Sequence, residues 1–256
     1  MNTLFLNWQA LASRRWHTVG RLDEADGRFR FAYTEGALGA MDEGFEPLLA
    51  FPDLRQPAES ERLFPLFENR ILPTSRPEYP EYVSWLGLQH DPHPFAILAR
   101  TGGTGVSDRL EMFPKPEPGP DGTCTFHVFV RGLRHQTPAA IERANTLEEG
   151  ERLLVMLDVQ NPQDDAAVAL RTAETFRGDM HILGYLPRYL AQEVQLWSWS
   201  RITKLRATVV RVNPPPAPSH FRVLVRVEMA WPDAGRPFES EAYRALAPAG
   251  SLAPTA

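Results

Sequence analysis

The chain has 256 residues, of which 43% are hydrophobic and 23% are charged, so it has enough apolar side chains to form a core and does not have the composition of a disordered protein. Its single cysteine, Cys124, excludes an internal disulfide and a zinc site built from several thiolates. The formal net charge of −5 is unevenly divided, because residues 1–124 carry 12 basic and 18 acidic side chains whereas residues 125–230 carry 13 and 11.

The first half of the sequence has the pattern of a mixed α+β domain. Its predicted elements are, in chain order, a hairpin made of residues 3–8 and Arg28–Tyr33 that turns near Asp23–Gly27, a helix at Pro80–Leu88, a helix or a strand at Phe95–Ala99, and a strand at Asp108–Phe113. Closely spaced prolines and glycines at 114–124 then predict a linker.

The pattern after the linker is mostly β. Strands are predicted near residues 125–131, 151–158, 166–172, 181–185, 203–212 and 220–230. Thr137–Asn145 and Pro187–Trp199 have helical patterns. The end of the sequence is rich in Ala, Pro and Ser and predicts a loose tail. The chain is therefore expected to contain an α+β domain at 1–113, a linker at 114–124, a β-domain at 125–232 and a tail at 233–256.

Several classes of function lack their sequence signatures. No N-terminal segment has the pattern of a signal peptide, and no apolar run reaches the roughly 18 residues of a membrane span. The histidines show no HxH or HExxH spacing, and no Gly-x-Ser-x-Gly elbow is present. We therefore expect a cytoplasmic protein without a membrane partner, a metal, a cofactor or a catalytic activity.

The most specific pattern runs from Phe126 to about Leu196. A strand-like run, Phe126–Val130, leads into the turn Arg131–His135, and later a polar turn at Asp158–Asp165 precedes the segment His181–Pro187. This order resembles the HIRAN domain, over about residues 125–230. The resemblance implies an OB-like β-barrel with one or two helices. It also implies a nucleic-acid site, since eukaryotic HIRAN domains bind the 3′-hydroxyl end of single-stranded DNA.

The resemblance assigns this site residue by residue. The Arg-Tyr of the first turn falls on Arg134 and His135, and the Asn-x-Tyr-Asp of the second turn falls on Asn161-Pro162-Gln163-Asp164. The implied nucleic-acid-binding residues are Arg134, His135, Asn161, Gln163, Asp164, Tyr185, Arg188 and Phe221. Such a site needs stacking surfaces, donors for phosphates and an acceptor for the terminal hydroxyl, and Asp164 is the expected acceptor.

Two of these positions depart from the family pattern. His135 and Gln163 replace stacking tyrosines, and each lost base–aromatic stack costs roughly 1–3 kcal/mol. Tyr185 offers a replacement aromatic surface. We therefore expect binding that is weaker or altered in its preference for a DNA end.

Structural explanations compete with these assignments. Asn161 and Asp164 also suit a tight turn, because their side chains bond to their own backbone. Seven basic residues in 188–226 face a single acid, Glu193, and this stripe fits either phosphate contact or a solvated strand face.

The first half carries a second resemblance. The tract Leu63–Asn69, the following Ile71-Leu72-Pro73, and Phe95–Leu98 before a glycine cluster resemble the N-terminal subdomain of HipA-type kinases, over about residues 1–115. The lysine, catalytic loop and metal site of a kinase core are missing from the sequence. The resemblance therefore implies a docking module for a protein partner such as a kinase, nuclease or helicase.

These patterns leave two hypotheses. In the first, a bacterial DNA-repair or related protein binds single-stranded DNA or its 3′ end through the barrel. In the second, the chain is a non-catalytic regulatory, antitoxin-like or defence-system interaction protein whose barrel does not bind DNA.

Overall fold

The computed structural model describes residues 2–105, 109–119, 121–173, 180–198, 205–230 and 237–247. The chain divides into two compact units. The first unit comprises Met1–Tyr82, His90–Lys115 and Phe238–Ala256, and the second comprises Val83–Gln89 and Pro116–Pro237.

The first unit contains a five-stranded antiparallel sheet in the order β4-β3-β2-β1-β5. Its elements are β1 (Asn2–Gln9), β2 (Trp16–Ala25), β3 (Arg28–Tyr33), α1 (Gly36–Met41), β4 (Ala58–Ser60), α2 (Pro65–Glu68), α3 (Tyr79–Trp85, which ends in the second unit), α4 (Pro94–Thr101) and β5 (Leu110–Pro114). Leucines and aromatic side chains from the strands and from α2 and α4 form its buried core.

The predicted hairpin is wrong in its pairing. Residues 3–8 do not pair with β3, because β2 lies between β1 and β3 and pairs with both. The turn itself is where it was predicted, since Asp26 and Gly27 connect β2 to β3 with φ values of +51° and +76°. The sequence did not indicate β2, because Gly20 and the charged residues after it weaken its alternation of apolar and polar side chains.

The other predicted elements of this half are present with shifted bounds. Phe95–Ala99 is helical and lies within α4, where the His93 side chain accepts from the Phe95 N–H and Pro94 occupies the first turn. Gly102, with φ +76°, ends the helix. The predicted strand at Asp108 corresponds to β5, and Asp108 itself lies outside the described residues.

The prediction of a loose tail is wrong for residues 238–247, which belong to the packed first unit. Phe238 is only 1% exposed, and its ring lies 5.2 Å from that of Phe113 and 6.5 Å from that of Phe5. The Leu246 N–H donates to the Tyr33 carbonyl at 2.9 Å. Burial of this aromatic anchor outweighs the Ala- and Pro-rich composition around it.

The second unit contains a six-stranded antiparallel sheet in the order β6-β11-β10-β7-β8-β9. Its elements are β6 (Thr123–Phe129), α5 (Pro138–Asn145), β7 (Arg152–Leu157), β8 (Val168–Arg171), β9 (Ile182–Tyr185), α6 (Arg188–Ser198), β10 (Arg206–Val212) and β11 (Val223–Ala230). The sheet curls into a half-barrel. Antiparallel sheets combined with separate helices confirm the α+β class.

The predicted strands of this unit are present with bounds shifted by one to three residues. The strand expected from residue 220 begins at Val223, because Ser219–Phe221 forms a 3₁₀ turn. The expected start of β10 at 203–204 and the Trp199 end of the second helix lie outside the described residues.

The two edge strands of this sheet meet at one residue pair. Arg131, just beyond β6, pairs with Tyr185 at the end of β9 through N–H···O bonds of 2.8 and 2.9 Å. Gly184 makes this contact possible, since a Cβ there would lie 2.2 Å from the Arg131 carbonyl oxygen, and its φ of +146° also favours glycine. The half-barrel is therefore closed at one corner.

Candidate nucleic-acid interface

The first-turn residues project from this closed corner. Gly132 has φ +76° and redirects the chain into the 3₁₀ turn Leu133–His135. Leu133 is buried, whereas Arg134 and His135 are exposed, and Arg134 Nε donates to His135 Nε2 at 3.0 Å. The turn thus presents a guanidinium and an imidazole to solvent.

The second-turn residues form a hydrogen-bonded loop between β7 and β8. Asn161 Nδ2 donates to Asp158 Oδ2 at 2.9 Å, and Asn161 Oδ1 accepts from the Gln163 N–H at 2.9 Å. Asp164 Oδ1 accepts from the Ala166 N–H at 3.1 Å. The turn chemistry predicted for Asn161 and Asp164 is therefore present, and it fixes the direction in which both side chains point.

Tyr185 and Arg188 connect this loop to β9 and α6. The Tyr185 hydroxyl donates to Asp158 Oδ2 at 3.2 Å. Partial burial of the hydroxyl raises the pKa of Tyr185, and the hydrogen bond to Asp158 and its negative charge raise this pKa further. Arg188 Nε lies 3.4 Å from Asp164 Oδ1, and both side chains are about one-fifth exposed, at 22% and 20%. The half-buried tyrosine ring is thereby held with its hydroxyl against the loop.

Phe221 lies beside the first turn. Its half-buried ring is 5.1 Å from Phe129 of β6 and 4.2 Å from the exposed imidazole of His220. Partial burial lowers the pKa of His220, and the positive charges of Arg131 and Arg134 lower it further. Three basic side chains therefore share this end of the second unit.

The eight predicted residues thus fall into two groups. We call Arg134, His135 and Phe221, with Arg131 and His220, the turn group. We call Asn161, Gln163, Asp164, Tyr185 and Arg188, with Asp158, the loop group. The backbone pairing of Arg131 with Tyr185 connects them. Gln163 is exposed and joins the loop group through its backbone.

Three members of these groups were missed by the sequence prediction. Arg131 and His220 are sequence neighbours of predicted residues, in the first turn and beside Phe221, and their position alone was a usable signal. Asp158 opens the predicted polar turn, but nothing in the sequence showed that it would accept bonds from both Asn161 and Tyr185.

The basic stripe predicted at 188–226 is not one surface. Arg222 is 9% exposed and donates to Asn145 Oδ1 at 2.6 Å and to the Ala217 carbonyl at 2.9 Å. Burial lowers the pKa of Arg222. Its role is therefore structural, since it connects α5 to the loop before β11. Arg201 and Lys204 lie outside the described residues.

Comparison with known proteins identifies the second unit. Residues 124–228 match the HIRAN domain. The HIRAN match indicates nucleic-acid binding in general. Among solved structures, a crystal structure of a structural-genomics protein from Lactobacillus plantarum is 22% identical, covering 42% of this chain and 98% of that chain, with a TM-score of 0.32. No curated protein matches the chain.

No group of three or more His, Cys, Asp or Glu side chains in the described ranges is placed to hold a metal ion. Within the same part of the chain, no helix has the length and apolar character needed to cross a membrane.

Proposed function

We propose that the second unit binds single-stranded DNA and holds its 3′ end between the turn group and the loop group. The observation that carries the proposal is the closed corner of the half-barrel, where the pairing of Arg131 with Tyr185 brings basic donors, aromatic rings and carboxylates together. A terminal nucleotide requires these three kinds of contact.

Each group has a distinct role in this proposal. Arg134 and Arg131 donate to the last phosphates, while Tyr185 and Phe221 provide apolar ring surface for bases. Asp164 accepts the terminal 3′-hydroxyl. Its carboxylate contacts Ala166 and Arg188, and a carboxylate has roughly four acceptor positions, so it has capacity for a further hydroxyl.

The replacement of two stacking tyrosines sets the expected strength. His135 has a smaller ring than tyrosine, and the Gln163 side chain has none, so affinity should be lower by roughly 1–3 kcal/mol for each stack that is lost. Binding should be measurable at low salt, where contacts to phosphates are strongest.

Fluorescence anisotropy with single-stranded oligonucleotides tests this proposal. Oligonucleotides with a free 3′-hydroxyl should bind more tightly than those with a 3′-phosphate. Asp164→Asn should remove most of that difference, because the amide that replaces one carboxylate oxygen cannot accept from the hydroxyl in the same way. Asp165→Asn, at the exposed neighbouring position, is the matched control and should preserve the difference.

Two results would contradict the proposal. Saturating single-stranded DNA with no change in anisotropy at low salt would exclude DNA binding. Binding that ignores the 3′ end but depends steeply on salt would mean that phosphates are contacted without recognition of an end.

We also propose that the protein is not an enzyme. Cys124, a nucleophile by residue type, is fully buried, and burial together with the negative charge of Glu193 raises the pKa of its thiol to about 12. A thiol in that state is a poor nucleophile. A nuclease or ATPase activity that copurifies with the wild-type protein through all chromatographic steps would contradict this proposal.

A docking role for the first unit is a second candidate, as the resemblance of residues 1–115 to the HipA subdomain predicts. A concave region of about 750 Å³ on β2, β3 and β4 supports it. It is lined by charge pairs, which include Arg28 with Glu61 at 3.6 Å and Arg30 with Glu59 at 3.7 Å. A kinase, nuclease or helicase bound there should be released by Arg28→Glu and retained by Arg55→Glu, a change outside the concavity.

A further inference from the structure

The register of the second sheet aligns polar residues in a row across four strands. His127 of β6 lies opposite Arg226 of β11, Arg226 lies opposite Thr208 of β10, and Thr208 lies opposite Arg152 of β7. Directly paired residues project from the same face of a sheet. With strands about 4.8 Å apart, this row is roughly 14 Å long.

The row lies on the solvent side of the sheet. Arg152, Arg226 and His127 are exposed and Thr208 is half-buried. Their sequence neighbours on the same strands are core residues that point the other way, namely Phe126, Val128, Leu153, Ala207, Val209, Val225 and Val227, each at most 5% exposed. The charges are therefore not needed to form the core.

A second row beside the first adds to the positive charge. In it Thr125 lies opposite Glu228, and Glu228 lies opposite Arg206. Glu228 is 3.5 Å from Arg226 and offsets one of the three arginines on this face. Three guanidinium groups and one carboxylate leave this face positive, although the whole chain has a net charge of −5.

This face continues into the candidate site along β6. His127 and Phe129 are two residues apart and project from the same side, and Arg131 continues the alternation into the turn group. Phe129 is covered by the ring of Phe221. Arg131 therefore lies four residues beyond His127, about 13 Å along an extended chain, and just past the end of β6.

We infer that the exposed face of β6, β11, β10 and β7 carries the phosphate backbone of the strand whose 3′ end is held at the corner. The inference rests on the proposed function and extends it, because it assigns the path of the nucleotides that precede the bound end. Arg226, Arg206 and Arg152 lie on three successive strands of this face. A positively charged face is complementary to the phosphate backbone of a nucleic acid.

Anisotropy with two oligonucleotide lengths tests the path. An oligonucleotide of about 4 nucleotides fits the corner alone, whereas one of about 12 nucleotides also reaches the row. Arg152→Gln/Arg226→Gln should leave affinity for the short one unchanged. For the long one, the slope of log affinity against log salt should fall by about 1.4, because each phosphate contact on a single strand contributes about 0.7.

Variants of matched charge make the result specific. When salt is lowered from about 0.25 M to about 0.05 M, the long oligonucleotide should gain roughly tenfold less affinity for the double variant than for wild type. Arg55→Gln/Arg62→Gln, which removes two exposed charges from the first unit, should match wild type. Glu228→Gln should strengthen binding of the long oligonucleotide.

The outcomes separate this inference from the proposed function. If the short oligonucleotide binds and Arg152→Gln/Arg226→Gln leaves the salt slope of the long one unchanged, the path is wrong and the end site stands. If the control variant of the first unit loses as much affinity for the long oligonucleotide as Arg152→Gln/Arg226→Gln does, net charge and not the row is responsible. The proposed path is then also wrong. If wild type binds neither length, both are wrong.

Discussion

Gly184→Ala tests whether the two edges of the half-barrel meet as the structure shows. The added Cβ would lie 2.2 Å from the Arg131 carbonyl oxygen and 2.8 Å from Val130 Cγ1. Neither neighbour is the far end of a flexible side chain, so β9 must move away from the turn or the backbone must distort.

The cost of this substitution has two parts. Relief of overpacking in a filled site costs roughly 1–3 kcal/mol, and holding alanine at φ +146° adds about 1–3 kcal/mol. Alanine also lowers the conformational entropy of the unfolded chain, which stabilises the folded variant by about 0.4–1 kcal/mol. The net loss should be about 3 kcal/mol, which corresponds to a fall in Tm of roughly 6–12 °C.

Gly150→Ala is the control for the backbone part. Gly150 has φ +87°, and a Cβ there would have no heavy atom within 4 Å. Its substitution should therefore cost only about 1 kcal/mol, from the positive φ alone. The difference between the two variants measures the close approach of Gly184 to Arg131 together with the less favourable φ of Gly184.

Urea unfolding followed by circular dichroism measures both variants in the full chain. Gly184→Ala should also weaken DNA binding at a temperature where it remains folded, because Arg131 and Tyr185 are displaced. A loss of stability no larger than that of Gly150→Ala would refute the close approach, and with it the argument that the corner positions the site.

Three further predictions concern side chains near the site. Arg222→Met should lower the free energy of unfolding by about 2–3 kcal/mol in urea titrations, because the bonds to Asn145 and Ala217 are lost, while leaving the salt dependence of DNA binding unchanged. Tyr185→Phe should retain DNA affinity within about threefold, whereas Tyr185→Ala should lose roughly 5- to 150-fold in anisotropy titrations, since one stack is worth about 1–3 kcal/mol. The pKa of His220 is lowered in the free protein and should rise beside a phosphate, so affinity should increase as pH falls from about 7.5 to about 5.5, and His220→Gln should flatten that profile. Because the folded pKa of His220 is depressed, its effect on folding stability has the opposite sign: the stability that is present above the ordinary pKa of 6.5 is lost as pH falls toward the lowered pKa.

The sequence predicted α5 as a helix but left Phe95–Ala99, within α4, open between a helix and a strand, although both helices begin with the same local signals. α4 and α5 have a proline in the first turn and a capping side chain before it, His93 in one case and Thr137 in the other. Strand order was not predictable in the same way. β2 pairs with both β1 and β3 in the folded unit, but its glycine and charged residues give it a weak alternation.

In the candidate site, too, local features were predictable from the sequence and long-range contacts were not. Its residue identities followed from the HIRAN resemblance, and the turn bonds of Asn161 and Asp164 followed from residue type. The contacts that join the turn group to the loop group did not follow from either. The pairing of Arg131 with Tyr185 depends on residues 54 positions apart along the chain and on a glycine whose role appears only when the strands meet.

Net charge was the least informative sequence feature, and the structure explains why. Among the described residues, basic side chains of the second half lie in several different environments. Arg222 is buried in a structural network, Arg131 and Arg134 lie at the corner, and three further arginines lie on the exposed sheet face. Of these described arginines, those at the corner and on the sheet face are accessible to phosphates. The salt dependence of DNA binding should therefore follow the charges at the corner and on that face, even though the protein as a whole is acidic.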